Sequence, residues 1–280
     1  MKIAIIGHSH IVAVLDAIGQ WRAPANLEGG PADNSLRGWR SVNTAGKLFE
    51  VIPRERYKSL RGLQVTLINP GTINSADPAH LVEARLEGRH LQFNVSNFFL
   101  KFMESTSDFD VVISVLGGAL TGKALVNDLP EYDFAPFESG QNSYRPIDNS
   151  YVNQFVAEDV NIVLAPLMAM RLKLTKPRLV HVAPPPPPKD LSKTRVFDNL
   201  VPLVNQYGWL RPSLRLKWYS FYLSHLRAAV SKQGITLIEP GREAVSEDGF
   251  LRPDFSEDLT HGNIHYGEVI ADKIATCVEA

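Results

Sequence analysis

The first ten residues, MKIAIIGHSH, constrain the fold of this chain more than any other stretch. Residues 3–6 form a short continuous apolar run, which is typical of a strand buried on both faces of a sheet. Gly7 ends the run, and apolar residues then recur at helical spacing from Ile11 to Ile18. Ser9 therefore lies where a buried strand turns into a helix. In an open α/β sheet, ligands bind outside the carboxyl ends of the strands, so this turn is a candidate site.

On this stretch alone, Ser9 has two interpretations. Serine is a preferred N-cap, so its side chain could simply cap the helix that follows. Alternatively, its hydroxyl is a nucleophile beside a helix N-terminus, whose free N–H groups and dipole favour developing negative charge. A dinucleotide-binding loop is not indicated, because that fingerprint needs G-x-G-x-x-G and this chain has G-H-S-H-I-V.

Four further apolar runs have the character of buried strands, at residues 65–68, 110–116, 178–183 and 235–238. Segments with helical spacing separate most of them. This alternation predicts an α/β protein with a three-layer α/β/α, flavodoxin-like fold and a five-stranded parallel sheet. Because no composition break resembles a linker, we expect residues 1–280 to form a single domain, with a loop insertion at about 119–150.

Composition and charge exclude several classes of protein. The formal net charge of −1 argues against nucleic acid or an anionic membrane as a partner. The single cysteine, Cys277, excludes an internal disulfide framework. No stretch approaches the roughly 20 apolar residues of a membrane span. The apolar run after Lys2 is too short for a secretory signal, so we expect a cytoplasmic protein.

A run of five prolines, Pro184 to Pro188, follows the fourth predicted strand. Consecutive prolines adopt an extended backbone. The run is therefore either a rigid wall beside the carboxyl edge of the sheet or a ligand for a proline-binding partner. Its position directly after a strand favours the wall.

A second group of polar residues lies near the end of the chain, in Asp258-Leu259-Thr260-His261-Gly262-Asn263. A carboxylate three residues before a histidine can accept a hydrogen bond from the ring Nδ1–H, which leaves Nε2 to take a proton from a hydroxyl. The other interpretation is that Asp258 or Thr260 caps the last helix, with His261 exposed beside it.

A serine after the first strand and D-x-x-H before the last helix together resemble the SGNH/GDSL-type hydrolases. Gly7-His8-Ser9-His10 is similar to the G-D-S-x block of that family, and residues 258–263 are similar to its D-x-x-H-P-N block, with Gly262 in place of the proline. Asn69-Pro70-Gly71-Thr72 and Gly117-Gly118-Ala119-Leu120 fall where the second and third blocks lie.

This resemblance implies cleavage or transfer of an acyl group of a small ester or an acylated sugar, without a cofactor. Ser9 is then the nucleophile, His261 the general base, and Asp258 the group that orients the imidazole. The N–H groups of Ser9 and Gly71 hold the oxyanion, and Gly118 is a further candidate donor.

Ala119 departs from the family, which has an asparagine there that donates to the oxyanion. Losing one such donor typically costs about 10²–10³ in rate. Either Asn127 or Asn142 of the following loop supplies a replacement, or the hole has only backbone donors. We assign His8, His10 and Asn142 to substrate binding.

Two other functions fit parts of the sequence. His8, His10, His261 and His265 form two pairs, and the second pair has the i, i+4 spacing that presents two metal ligands on one helix face. A metal-dependent hydrolase is therefore an alternative, although Asp258 already accounts for His261. The loss of the asparagine also leaves open a non-catalytic binding protein on the same scaffold. No oligomeric state is assigned.

Overall fold

The computed structural model describes residues 1–21, 48–68, 81–87, 90–117, 132–135, 144–192 and 201–280. The strands are β1 (Ile3–Gly7), β2 (Gly19–Trp21), β3 (Phe49–Pro53), β4 (Leu63–Leu67), β5 (Val82–Glu87), β6 (His90–Val95), β7 (Val111–Val115), β8 (Tyr132–Asp133), β9 (Arg145–Pro146), β10 (Arg178–Val182) and β11 (Thr236–Ile238). The helices are α1 (Ile11–Ile18), α2 (Asn97–Ser105), α3 (Asn149–Lys173), α4 (Val201–Tyr207), α5 (Pro212–Lys232) and α6 (Ile264–Glu279). Short 3₁₀ helices span Glu55–Leu60, Arg242–Ala244 and Pro253–Phe255.

Seven of these strands form one sheet in the order β11-β10-β7-β1-β4-β3-β2. The first five in this order are mutually parallel, and Ile5 of β1 is in register with Val65 of β4 and Ile113 of β7. Numbered along the chain, the parallel strands have the spatial order 2-1-3-4-5, which is the flavodoxin-like order. The predicted three-layer α/β fold is therefore confirmed.

The predicted strand number was too low, because β3 and β2 extend the sheet beyond β4 in antiparallel pairing. β3 alternates between buried and exposed residues, as a strand near the edge of a sheet does, so it lacks the continuous apolar run that marks the parallel strands. Sequence analysis also missed the hairpin of β5 and β6, whose residues carry charges at irregular spacing.

Helices cover both faces of the sheet. α1 and α6 pack on one face, where Leu15 and Ile270 join the core formed by the parallel strands. α2, α3 and α5 pack on the other face, where Phe102, Leu167 and Leu226 are fully buried. None of the described helices is long and apolar enough to cross a membrane.

α1 and α6 touch along their backbones. A β-carbon added at Gly267 of α6 would lie 2.0 Å from the carbonyl oxygen of Ala13 in α1, so no larger residue fits at this crossing without moving a helix. Because α1 follows Ser9 and α6 follows His261, the crossing holds the two ends of the chain side by side.

The five prolines form a buried wall, since every residue from 184 to 188 is buried. Tyr219 of α5 donates a hydrogen bond to the Pro184 carbonyl, and the guanidinium of Arg215 donates to the carbonyls of Pro188, Lys189 and Leu210. Held against α5 in this way, the run cannot enter the groove of a proline-binding partner, and the wall interpretation applies.

Of the loop insertion expected at about 119–150, the structure describes residues 132–135 and 144–150. They contain β8, β9 and the start of α3, and β8 pairs with β9 in parallel. The rest of the insertion lies outside the described residues. The single domain over residues 1–280 stays a prediction.

Candidate active site

Ser9 lies at the carboxyl edge of the sheet, between β1 and β7, where the strand order reverses. The chain passes very close to β7 on its way into the turn. A β-carbon on Gly7 would be 3.0 Å from Cβ of Val115 and 3.1 Å from Cβ of Ile11, so glycine lets β1, β7 and α1 meet at this point.

The Ser9 side chain does not cap α1. The N-cap residue of this helix is His10, which makes no side-chain capping bond. Ser9 Oγ instead lies 2.7 Å from Nε2 of His261, a residue 252 positions further along the chain. The capping interpretation of Ser9 is therefore wrong.

His261 is held on its other side by Asp258. Nδ1 of His261 lies 2.8 Å and 2.9 Å from the two carboxylate oxygens, and the same carboxylate accepts hydrogen bonds from the backbone N–H groups of Thr260 and His261. Asp258 does not cap the last helix, because that role falls to Asn263, whose side chain accepts from the first backbone N–H groups of α6.

These contacts set the ionisation of Asp258 and the tautomer of His261. Burial on its own raises the pKa of Asp258, but hydrogen bonds from the His261 ring, the charge of His261 and the two backbone N–H groups outweigh it, so the net pKa lies below its usual value. The ionised carboxylate takes the Nδ1–H of His261. Nε2 is then an acceptor that faces the Ser9 hydroxyl.

His8 lies on another side of the nucleophile. Its Nε2 accepts a hydrogen bond of 2.8 Å from the backbone N–H of Gly117, directly after β7, and its Nδ1 lies 3.4 Å from Ser9 Oγ. Burial, reinforced by the charge of His261, lowers the pKa of His8 to about 4. The ring is therefore neutral at pH 7.

Gly117 is a neighbour of His8 that sequence analysis did not identify. The parallel register pairs Gly7 with Val115, so extending each strand by two residues brings Gly117 beside Ser9. The parallel register of β1 against β7 could have predicted this contact.

His10 packs against the base. Its ring centroid lies 4.4 Å from that of His261, with the two ring planes 32° apart, and 5.2 Å from that of His8. Burial, and then the charges of His261 and His8, lower the pKa of His10 well below its usual value. His10 also lines a small cavity together with Pro184 and Tyr266.

The geometry does not support the metal alternative. His8, His10 and His261 lie together, but the His265 side chain is 63% exposed on α6 and is 3.7 Å from Glu268. Both ring nitrogens of His261 are in hydrogen bonds. Within the described ranges, no three His, Cys, Asp or Glu side chains are placed to share a metal ion.

Of the expected oxyanion donors, the structure describes only Ser9. Its backbone N–H makes no backbone hydrogen bond within the described part of the chain. Gly71, Gly118, Ala119, Asn127 and Asn142 lie outside the described residues.

No family model and no curated protein matches this chain. Solved structures similar to it include a GDSL-like lipase from Bacteroides thetaiotaomicron, with 10% identity over 99% of this chain and 87% of that chain and a TM-score of 0.47. A carbohydrate acetylesterase from Sinorhizobium meliloti has 14% identity over 99% of this chain and 100% of that chain, with a TM-score of 0.45. The periplasmic domain of a lipopolysaccharide acetyltransferase from Salmonella ser. Paratyphi A has 12% identity over 100% of this chain and 84% of that chain, with a TM-score of 0.46.

In this chain, a three-layer α/β/α fold carries Ser9, His261 and Asp258 in one hydrogen-bonded line at the carboxyl edge of its sheet.

Proposed function

We propose that this protein is a serine hydrolase of acyl esters, with Ser9 as nucleophile, His261 as general base and Asp258 as the group that orients the base. The 2.7 Å contact between Ser9 Oγ and His261 Nε2, with His261 Nδ1 on the Asp258 carboxylate, carries this proposal. Serine is activated for attack when its hydroxyl lies within hydrogen-bond reach of a base and a third group orients that base.

Acylation begins when Ser9 Oγ attacks the carbonyl carbon of the ester. The Oγ–H proton passes to Nε2 of His261, the Oγ–C bond forms, and the carbonyl electron pair moves onto oxygen. When this oxyanion collapses, the bond from the carbonyl carbon to the alcohol oxygen breaks, and His261 gives its proton to that oxygen. The Asp258 carboxylate stabilises the imidazolium while it exists.

Deacylation repeats these steps with a second hydroxyl compound. Water loses a proton to His261 as it attacks the acyl carbon, and collapse of the oxyanion breaks the bond to Ser9 Oγ, which recovers the proton from His261. The products are a carboxylic acid and the free serine. A sugar hydroxyl in place of water gives acyl transfer by the same steps. The proposed acyl donor is a small ester or an acylated sugar, as the sequence resemblance implies.

The oxyanion needs donors that are already in position. The Ser9 N–H supports this role, because it lies at the turn beside the N-terminus of α1 and makes no backbone hydrogen bond among the described residues. We assign the second donor to the Gly71 N–H, as the sequence resemblance implies, with Gly118 as a further candidate.

Hydrolysis of p-nitrophenyl acetate and butyrate by the wild type and by Ser9→Ala and His261→Ala tests the proposal. We expect kcat to fall by about 10³-fold or more in both variants. Ser224→Ala and His265→Ala, which change exposed side chains, are the matched controls and should retain wild-type rates.

The same variants separate the alternatives. Turnover that survives in both Ser9→Ala and His261→Ala contradicts the proposal, and loss of activity in His265→Ala favours the metal-dependent hydrolase. An alkyl fluorophosphonate should label the wild type at Ser9. A folded wild type that is neither labelled nor active is the result expected of a non-catalytic binding protein.

A further inference from the structure

We infer that His8 is a second catalytic side chain, whose Nδ1–H donates a hydrogen bond to Ser9 Oγ and stabilises the negative charge that this oxygen carries during the reaction. The inference rests on the proposed function and extends it. It gives a role to the residue at which this chain departs from the G-D-S-x block, where an acidic side chain is usual.

The hydrogen-bond partners of His8 fix its tautomer. The backbone N–H of Gly117 can only donate, so Nε2 of His8, 2.8 Å away, must be the acceptor and must carry no hydrogen. A neutral imidazole then has its hydrogen on Nδ1. Burial supports the neutral form, since it lowers the pKa of His8 to about 4.

The partners of Ser9 fix the direction of the next hydrogen bond. His261 carries its ring hydrogen on Nδ1 and donates it to Asp258, so its Nε2 has a lone pair. The single hydroxyl hydrogen of Ser9 therefore points to Nε2 of His261. Ser9 Oγ is thereby left with lone pairs, and Nδ1 of His8 lies 3.4 Å from it. The Nδ1–H of His8 is therefore the donor to a lone pair of Ser9 Oγ.

One directed chain of hydrogen bonds follows. It runs from the Gly117 N–H to His8, from His8 Nδ1–H to Ser9 Oγ, from Ser9 Oγ–H to His261, and from His261 Nδ1–H to Asp258. His8 takes up no proton in the reaction, because its Nε2 lone pair accepts from Gly117, and it gives none up, because loss of Nδ1–H from a neutral imidazole would leave an imidazolate anion.

The contact from His8 matters most when Ser9 Oγ is charged. Charge develops on Oγ as its proton moves to His261 in acylation, and again as Oγ leaves the acyl carbon in deacylation. Hydrogen bonds to a charged acceptor are shorter and stronger than those to a neutral one, and catalytic hydrogen bonds are often long before substrate binds. The 3.4 Å separation in the free enzyme is consistent with a bond that shortens during catalysis.

Gly117 is the positioning residue for His8. Its φ of +90° is a conformation that glycine adopts readily, and a β-carbon there would lie 2.3 Å from Cγ2 of Val163. The peptide N–H is thus held at a fixed place beyond the end of β7, which is where His8 needs a donor.

Replacing His8 by alanine and by asparagine tests the role in catalysis. Asparagine can place an amide N–H near the position of Nδ1, whereas alanine cannot. We expect kcat of His8→Ala to fall by about 10- to 100-fold, the effect of losing one hydrogen bond to a charged acceptor, with KM changed less than about threefold. We expect His8→Asn to recover most of that loss, and the rate of fluorophosphonate labelling to follow kcat in both variants.

The tautomer is tested without any turnover. Nitrogen-15 NMR of the wild type and of Ser9→Ala at pH 7 should show His8 neutral, with hydrogen on Nδ1 and none on Nε2. A ring with its hydrogen on Nε2 contradicts the inference, as does a kcat of His8→Ala equal to that of the wild type, or a kcat of His8→Asn no higher than that of His8→Ala.

The outcomes distinguish the two proposals. Loss of activity in Ser9→Ala together with unchanged activity in His8→Ala contradicts the role of His8 and leaves the proposed function standing. A wild type with neither turnover nor labelling contradicts the proposed function, and the catalytic role of His8 with it.

Discussion

Three imidazoles lie around Ser9, and their surroundings decide which one takes the proton. His8 and His10 are partly buried next to each other and next to His261, and this environment lowers the pKa of both. Only His261 of the three contacts the Asp258 carboxylate. The Asp258 carboxylate therefore favours the proton on His261. Of the two neutral rings, His8 accepts a hydrogen bond from the Gly117 N–H and His10 packs against His261.

Replacing Asp258 by asparagine tests this division of roles. The amide cannot accept the Nδ1–H of His261 as a charged carboxylate does, and it favours the wrong tautomer, so we expect kcat to fall by about 10⁴-fold. The asparagine oxygen can still accept from the N–H groups of Thr260 and His261, so the turn should persist. Asp254→Asn, at a carboxylate 57% exposed, is the control and should leave kcat unchanged. A fall of less than tenfold in Asp258→Asn would show that another group orients the base.

At the scale of elements, one helix crossing determines whether the triad exists. The nucleophile and the base are separated by 252 residues, and the helices that follow them, α1 and α6, meet with their backbones in contact at Gly267 and Ala13. Gly262 contributes in the same region, since a β-carbon there would lie 2.3 Å from Cδ1 of Tyr266. Glycine at position 262 is therefore matched to the tyrosine that packs over it.

Gly267→Ala should disturb both stability and catalysis. The added methyl group would lie 2.0 Å from the Ala13 carbonyl oxygen, so the two helices must move apart. We expect the free energy of unfolding to fall by about 1–3 kcal/mol, as is usual for overpacking. A shift of about 1 Å between nucleophile and base should lower kcat by about 10²-fold.

Urea unfolding and ester hydrolysis measure the two effects. Thr276→Ala, on the exposed side of the same helix, is the control and should change neither by much. If Gly267→Ala unfolds more readily but keeps the wild-type kcat, the crossing contributes to stability without setting the distance between Ser9 and His261.

The sequence predicts those parts of the fold and site that depend on local patterns. The five parallel strands are continuous apolar runs, and Asp258 and His261 are three residues apart, so both could be read from neighbouring residues. β3, β5 and β6 could not, because strands away from the buried centre of a sheet mix exposed and buried residues. The role of His8 could not be read either, because it depends on the register of β1 against β7 and on the N–H of a residue 109 positions away.

For the whole molecule, three histidines that are buried or partly buried link the stability of the fold to pH. His181, in the centre of the sheet, is fully buried with Nδ1 3.2 Å from Ser114 Oγ, and burial lowers its pKa to about 4. The pKa values of His8 and His10 are lowered as well. Three imidazoles, one within the sheet and two at its carboxyl edge, are thus held neutral in the folded protein.

We therefore expect the folded protein to lose stability as the pH falls from about 6.5 to about 4. In this window the unfolded chain binds protons on these histidines and the folded chain does not, so the free energy of unfolding rises with pH by up to about 1.4 kcal/mol per pH unit for each histidine. Asp258 acts at lower pH. Its pKa is also lowered on folding, so its contribution is present above the unfolded value of 3.8 and is lost as the pH falls below it.

Urea unfolding between pH 4 and pH 8, on the wild type and on His181→Gln, tests this link. Glutamine removes one of the titrating groups, so the free energy of unfolding of the variant should depend less steeply on pH between 4 and 6.5. Above pH 7 the imidazole is neutral in both states, and the two curves should run parallel, separated only by the cost of the substitution in the core. Equal slopes in the acidic window would mean that His181 already carries its proton in the folded sheet, or that acid opens the carboxyl edge around His8 and His10 before the centre of the sheet responds.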